Sequence, residues 1–368
     1  MKSKIFGKVK YFAFQLIPLR WRFSVLAWIL RTWYKPPMLA FPWSKQAISK
    51  ALVILPEDLV EAFHQIPTYL QITAHFRNTS FFLCCTGKVA TFFRHIHSNA
   101  IFFEYDTSQR FLFSGLFEEW GKAFLKEEFD LCLILEHTPD ISLLYLAGKT
   151  TAAVRAGYSE AGGEFPFLNI HVNPSPERRN RTEQNKVMAR ALGASESIKV
   201  NWSITKETEE ELSHTLRERK ISFGARLVGI DAGLFLRSFG TDWTEMLCTR
   251  LRENSSVSYY FFIEDEPDEG VSPSLTSFDF PVFSNLSPPR CIALIARSAG
   301  IISGKSVFFE LANMLGRPVI GVFDENQYAL YCRESALTKA VMYSGAPDRS
   351  AVERIVVFVN SLETPRKA

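Results

Sequence analysis

The 368-residue chain is poor in the residues that mark non-globular proteins. Glycine (19) and proline (18) are too sparse for a collagenous or low-complexity chain, and a hydrophobic share of 47% is too high for intrinsic disorder. No stretch reaches the ~18 uninterrupted apolar residues of a membrane-spanning helix. The six cysteines (Cys84, Cys85, Cys132, Cys248, Cys291 and Cys332) form no C-x-x-C pair, and four lie inside apolar runs. That excludes a disulfide scaffold and points to buried, reduced thiols in a reducing cytoplasm. The seven histidines make no H-E-x-x-H. His95 and His97 would share one face of a strand, which is too little for a zinc site, so no metal is expected.

Acidic residues are missing altogether from positions 1–50, which hold ten Lys or Arg. The remaining 318 residues carry 32 basic against 39 acidic side chains, so the net charge of +3 hides a cationic arm and an acidic body. An acidic body is a poor partner for nucleic acid, whereas the arm suits an anionic surface. The arm runs from Lys2, Lys4, Lys8 and Lys10 through YFAFQLIPL and Arg20-Trp21-Arg22 into FSVLAWIL. A secretory signal fits the charged start, but Arg20 and Arg22 follow the apolar run and no small-residue cleavage site appears. Two readings of 1–45 stay open: an interfacial anchor with cations beside Trp and Phe, or an arm packed on the body.

From Ala51 onward, short apolar runs alternate with segments of helical period, the signature of βα units. Ala51–Leu55, Ser80–Cys85, Ala100–Tyr105 and Phe129–Leu135 read as buried strands, followed by Ala152–Ala156 and Phe167–Val172. After a polar stretch a second series opens with Leu227–Asp231 and continues through Val257–Ile263, Phe280–Phe283, Gly300–Ile302 and Pro318–Phe323. The expected architecture is α/β: an arm at 1–48 and two Rossmann-like domains at 49–220 and 221–368. Ligands of such sheets sit at the carboxyl ends of the strands, and the facing loops of the two halves are expected to define one cleft.

The segment Arg290–Asn326, RCIALIARSAGIISGKSVFFELANMLGRPVIGVFDEN, resembles the nucleotide-binding stretch of glycosyltransferase family 9, the ADP-heptose:lipopolysaccharide heptosyltransferases. There a helix and a strand lead to an Asp-Thr-Gly loop, a His-Leu-Ala helix, and a strand written as small residue, Arg or Lys, Pro, then apolar residues. Leu311-Ala312, Gly316-Arg317-Pro318 and Val319–Phe323 keep that frame. Residues 129–157 and 186–193 resemble further family segments, as does Leu227–Gly233, so the likeness in order covers about 51–363. It implies a GT-B fold with a first, acceptor domain and a second, nucleotide-sugar domain, and a final helix (about 351–362) that packs back on the first.

By that resemblance the proton acceptor falls on Glu61, counted back from Pro67, where the family has Asp. A solvent-facing Glu in the first turn of a helix is the plainer reading of the same residue. At the nucleotide loop, Asp-Thr-Gly becomes Lys305-Ser306-Val307 after Gly304, and the helical His becomes Glu310. A glycine lets backbone amides approach a pyrophosphate, which Val307 resists, while Lys305 and Ser306 at a helix start can hold phosphate by charge and hydroxyl. The run Gly300-Ile-Ile-Ser-Gly304-Lys305-Ser306 is one residue short of a P-loop. Arg237, in an expected loop 231–240, is the nearest match to the family's phosphate-binding Lys. Glu266, closing the run Glu264-Asp265-Glu266, falls where the family places a carboxylate near the sugar or ribose.

The resemblance thus implies a metal-independent transferase without cofactor. It would move a heptose-like sugar from a nucleotide donor to a lipid-linked or lipopolysaccharide saccharide, at the cytoplasmic face of the inner membrane. The substitutions at Val60, Lys305, Val307 and Glu310 support an alternative, a catalytically decayed GT-B scaffold acting as a membrane-associated assembly partner.

Overall fold

Runs such as Leu52-Val53-Ile54 and Phe81–Cys85 are apolar without alternation because their strands are covered on both faces, which is the environment of a parallel sheet. The computed structural model describes residues 21–22, 24–26, 28, 48–150, 152–159, 167–174, 180–194, 198–221, 225–263, 278, 280–345 and 347–362. The chain divides into two units, 1–178 with 182–200, and 179–181 with 201–368.

In the first unit, β1 (Lys50–Ile54), β2 (Ser80–Thr86), β3 (Ile101–Tyr105), β4 (Leu131–Ile134), β5 (Val154–Tyr158) and β6 (Ile170–Val172) form one sheet in the order β3-β2-β1-β4-β5-β6. Every pairing is parallel; Leu52, for example, lies between Phe82 and Cys132. The crossovers are α1 (Leu59–His75), α2 (Gly87–Ile96), α3 (Gly115–Leu125) and α4 (Ile141–Lys149), and α5 (Arg181–Ala191) follows the sheet. Asp58 caps α1 by accepting the Glu61 N–H at 3.0 Å, and Asp140 caps α4 through Ser142 at 2.7 Å. One sheet face, with Leu52, Ile54, Phe82, Cys84, Cys132 and Ile134, belongs to the core that holds Phe117, Trp120, Leu143 and Leu146. Leu26, from the arm, belongs to that core as well.

The second unit repeats the plan. Strands β7 (Arg226–Asp231), β8 (Val257–Ile263), β9 (Val282–Ser284), β10 (Gly300–Ser303), β11 (Val319–Asp324) and β12 (Thr338–Tyr343) are ordered β12-β11-β10-β7-β8-β9. Its helices are α6 (Lys206–Glu218), α7 (Ala232–Arg252), α8 (Pro288–Arg297), α9 (Val307–Met314), α10 (Glu325–Tyr331) and α11 (Arg349–Ser361). In both units the order reverses between the first and fourth strands, β1 and β4 or β7 and β10. Crossovers leave in opposite directions there and open a crevice at the strand ends.

Four expectations change. The division falls at 200/201 rather than 220/221, because α6 packs on α8: Arg290 reaches Glu211 at 2.7 and 2.9 Å, and Leu212 and Leu216 are buried. Helix α7 starts directly at Ala232, so the expected loop 231–240 is helical, broken only at Gly240 with φ 77°. Strand β12 was not foreseen. The last helix, expected on the first domain, places Val352, Ile355 and Val359 in the core of the second unit, together with Leu362 just beyond it. All six cysteines are free and buried, as expected.

Gly229, in the central strand β7, has no room for a side chain, since a Cβ would stand 2.4 Å from Phe262 and 2.6 Å from the Tyr260 hydroxyl. Gly229→Ala is therefore expected to destabilise the protein by about 1–3 kcal/mol in guanidinium denaturation, the usual range for overpacking. Gly115→Ala, with nothing within 4 Å, should be neutral or mildly stabilising.

Candidate functional site

The switch point of the first sheet is lined by carboxylates. After β1 the chain turns through Glu57 and Asp58 into α1, whose first turn carries Glu61; after β4, Leu135 leads to Glu136 and His137. Burial pushes the Glu136 carboxyl above its ordinary range; hydrogen bonds from backbone amides, that of Thr138 first, oppose this, and the Glu61 charge reinforces it.

A buried polar cluster fixes what stands on either side of Glu136. Gln65 Nε2 donates to Leu135 O at 2.7 Å. The His137 ring stacks on Tyr158 with centroids 4.1 Å apart, and its Nε2 meets Asn185 Oδ1 at 2.7 Å. Asn185 Nδ2 donates to His64 O at 3.0 Å, which turns Oδ1 toward the imidazole and assigns the Nε2 proton to His137. The Tyr158 hydroxyl closes the set, 3.0 Å from Asn185 O and 3.2 Å from Gln65 Oε1. Helix α5 is thereby tied to α1 and β5 by hydrogen bonds, and Glu136 stands between two immobilised neighbours.

The switch point of the second sheet is built from hydroxyls and one buried acid. Ile302 pairs with Ile230, so Ser303 and Asp231 end their strands side by side. Ser303 Oγ donates to Asp231 Oδ2 at 2.8 Å and lies 2.7 Å from Ser306 Oγ, while Asp231 caps α7 through the Leu234 N–H at 3.2 Å. Burial pushes the Asp231 carboxyl up, against the hydrogen bonds of Ser306, Ser303 and Leu234 and the charge of Arg237. Helix α9 begins immediately after Ser306, whose hydroxyl makes no cap bond to it. Lys305, just ahead of that helix, holds its ammonium 4.8 Å from the centre of the Tyr331 ring.

Of the residues expected from sequence, Gly304, Lys305 and Ser306 are therefore together with Asp231, Ser303 and the charge of Arg237. Gly304 has a packing role, because a Cβ there would lie 2.8 Å from Leu234 and 2.9 Å from Val322 O. Arg237 is exposed on α7 rather than in a loop. Glu310 is buried in the first turn of α9, and its charge acts on the Cys332 thiol. Glu61 lies on the first unit beside Glu136. Glu266, with Glu264 and Asp265, lies outside the described residues. Among the described residues no group of three or more His, Cys, Asp or Glu is placed to hold a metal ion. Sequence reasoning placed the loop Ser303–Ser306 between a strand and a helix start, as the structure has it, but missed Glu136 and the bond that joins Ser303 to Asp231. The available signal was a polar residue ending an apolar run, as in LCLILE, VGID and GIIS; which runs are adjacent was not readable.

No protein-family model matches the chain, and no curated protein matches it in sequence. Known structures match it in fold. A family 9 glycosyltransferase from Veillonella parvula shares 12% identity at a TM-score of 0.69, over 85% of this chain and 96% of that one. The fold is that of the GT-B glycosyltransferases. Escherichia coli ADP-heptose lipopolysaccharide heptosyltransferase II matches at 13% identity and TM-score 0.66, over 85% and 98%. The E. coli heptosyltransferase WaaC with ADP-2-deoxy-2-fluoro heptose matches at 11% and 0.60, over 84% and 99%. The resemblance read from residues 51–363 is thus met by structures of the same family, at the level of fold.

Two stability measurements check the site. A carboxyl raised by burial binds its proton more tightly folded than unfolded, so its contribution to stability is full in acid and is lost as pH rises. Glu136→Gln should consequently gain stability relative to wild type as pH rises through and above the ordinary carboxylate range, with the difference closing at the acid end. Ser303→Ala, which removes a donor from buried Asp231, should cost about 1–3 kcal/mol by thermal or chemical denaturation.

Proposed function

We propose that the protein is a nucleotide-sugar-dependent glycosyltransferase of the heptosyltransferase type. The observation that carries this reading is Lys305, a cation set just ahead of a helix N-terminus at the switch point of the second sheet. The first amides of α9 and the Lys305 ammonium form an anion site, and Arg237 adds charge on the neighbouring helix. Ser306 acts there as a brace, its hydroxyl held by Ser303 and Asp231, so phosphate contact falls to Lys305 and the backbone. On the first unit, Glu136 with Glu61 beside it supplies the proton acceptor.

In this reaction the acceptor hydroxyl oxygen attacks the anomeric carbon and the bond to the diphosphate oxygen breaks. The hydroxyl proton passes to the carboxylate, and the leaving diphosphate is stabilised by Lys305 and the helix amides. The similar E. coli structure with ADP-2-deoxy-2-fluoro heptose supports an adenosine diphosphate sugar as donor. The lipid-linked or lipopolysaccharide saccharide acceptor, and a cytoplasmic, peripheral place at the inner membrane, follow from the family resemblance and the cationic arm. Among the described residues no helix is long and apolar enough to cross a membrane.

A second reading, the decayed scaffold, is favoured by one observation: the Ser303 and Ser306 hydroxyls are turned to an internal carboxylate at the place where a phosphate would sit. Titration calorimetry with ADP and ADP-sugars separates the two. Wild-type protein should bind, and ADP at 100 times its dissociation constant should add about 2.7 kcal/mol of stability. Lys305→Ala should weaken binding by about 1.5–3 kcal/mol, the range for hydrogen bonds to charged groups. Failure of the wild type to bind any nucleoside diphosphate supports the scaffold. Tight binding unchanged in Lys305→Ala moves the phosphate site elsewhere.

A further inference from the structure

The cationic arm and the first unit share one core. Residues 21–22, 24–26 and 28 are helical, and Leu26, 0% exposed, is grouped with Leu112, Phe117 and Trp120 of the first unit. Trp21 and Trp28 are seven residues apart, two helical turns, and so lie on one face; Leu26 lies on the other. Both tryptophans project outward, 59% and 60% exposed. A helix that serves only to pack would turn its indoles inward and its serine outward. Here Ser24 and both indoles are exposed together.

The same core carries a second outward-facing group. The turn between β3 and α3 holds Phe113 at φ 64°, a conformation unfavourable for a bulky side chain. It lets Phe113 fold back onto Tyr145, with ring centroids 5.5 Å apart, while its neighbour Phe111 stays 56% exposed. Leu116, at the start of α3, is 52% exposed. Phe111 and Leu116 flank the buried Leu112 and Phe117, so these four exposed apolar side chains belong to segments anchored in one core.

We infer that Trp21, Trp28, Phe111 and Leu116 form an interfacial surface through which the first unit lies on an anionic lipid bilayer. The choice of occupant rests on charge. The arm that presents the tryptophans has ten Lys or Arg and no acid in residues 1–50, whereas the rest of the chain carries excess negative charge. Cations next to indoles suit a headgroup layer, where the ammonium and guanidinium groups meet lipid phosphate and the rings enter the acyl boundary. Because Leu26 is rooted in the core, this contact fixes the first unit itself to the surface instead of tethering it by a loose tail. The inference extends the membrane part of the proposed function and is independent of donor binding.

The test is co-sedimentation of the full chain with sucrose-loaded vesicles, either phosphatidylcholine alone or phosphatidylcholine mixed with phosphatidylglycerol. Wild type should pellet with the mixed vesicles only, and added salt should release it. Trp21→Ser/Trp28→Ser should lower the pelleted fraction several-fold, and Phe111→Ser should lower it further, while Trp21→Ser and Phe111→Ser, both at exposed side chains, leave thermal unfolding and ADP binding unchanged. Equal pelleting on neutral vesicles, no pelleting of wild type, or pelleting of the tryptophan variant like wild type each overturns the inference. Absence of ADP binding by the wild type with vesicle binding intact overturns the transferase reading alone.

Discussion

The hydrogen bond from Ser303 to Asp231 joins the ends of the two strands at which the second sheet changes direction. Everything proposed for that unit depends on it. The bond holds a carboxylate under the start of α7, draws Ser306 into the same network, and so sets where α9 begins and where Lys305 stands. A buried carboxylate with too few donors would be expensive to keep. Three donors, Ser303, Ser306 and the Leu234 amide, make it tolerable, and the loop 303–306 has little freedom as a result. Such a loop can present an ammonium and helix amides without paying much to order them on binding.

The first unit solves the corresponding problem with opposite electrostatics. Its switch point gathers Glu61 and Glu136, and its rigidity comes from amide and imidazole groups: Gln65 on Leu135, Asn185 between His137 and His64, Tyr158 beneath the imidazole. A carboxylate disfavoured by burial and by a like charge is a better base than a solvated one. Two sheets of one topology thus carry a carboxylate pair at one switch point and a cation ahead of a helix start at the other.

Much of this was legible in the chain. Parallel sheets give unbroken apolar runs, so β1, β2, β4, β7, β8, β10 and β11 could be read directly, and the family frame of 290–326 placed Lys305 at a helix start. Other features depend on contacts that spacing does not encode. Between Asp231 and Gly240 the two glycines suggest a loop, yet Ala232, Phe235, Leu236 and Phe239 recur at helical spacing, Asp231 caps the segment and Phe235 is buried in the core, so it is helical. The stretch Glu207–Lys220 reads as a solvated helix closing the first domain, because only Leu212 and Leu216 are apolar on the buried side of α6; its ion pair with Arg290 assigns it to the second unit. Glu136 follows an apolar run and belongs to no motif. Its place near Glu61 comes from β4 lying beside β1, and strand order is a three-dimensional fact.

The replacement of an Asp-Thr-Gly loop by Lys305-Ser306-Val307 is the departure that most threatens a family-like role, and the packing weakens the objection. A glycine would be needed if the residue at the helix start projected over the bound phosphate. Val307 instead buries its side chain within the unit. The close backbone approach in this loop occurs one turn earlier, at Gly304, against Leu234 and the Val322 carbonyl. The exchange of an acid for Lys305 also changes the sign of the local charge, from one that repels a diphosphate to one that attracts it. The loop has lost the small residue and gained a cation, so its binding would rest more on charge and less on backbone fit. Its affinity should then fall with ionic strength more steeply than that of a glycine loop.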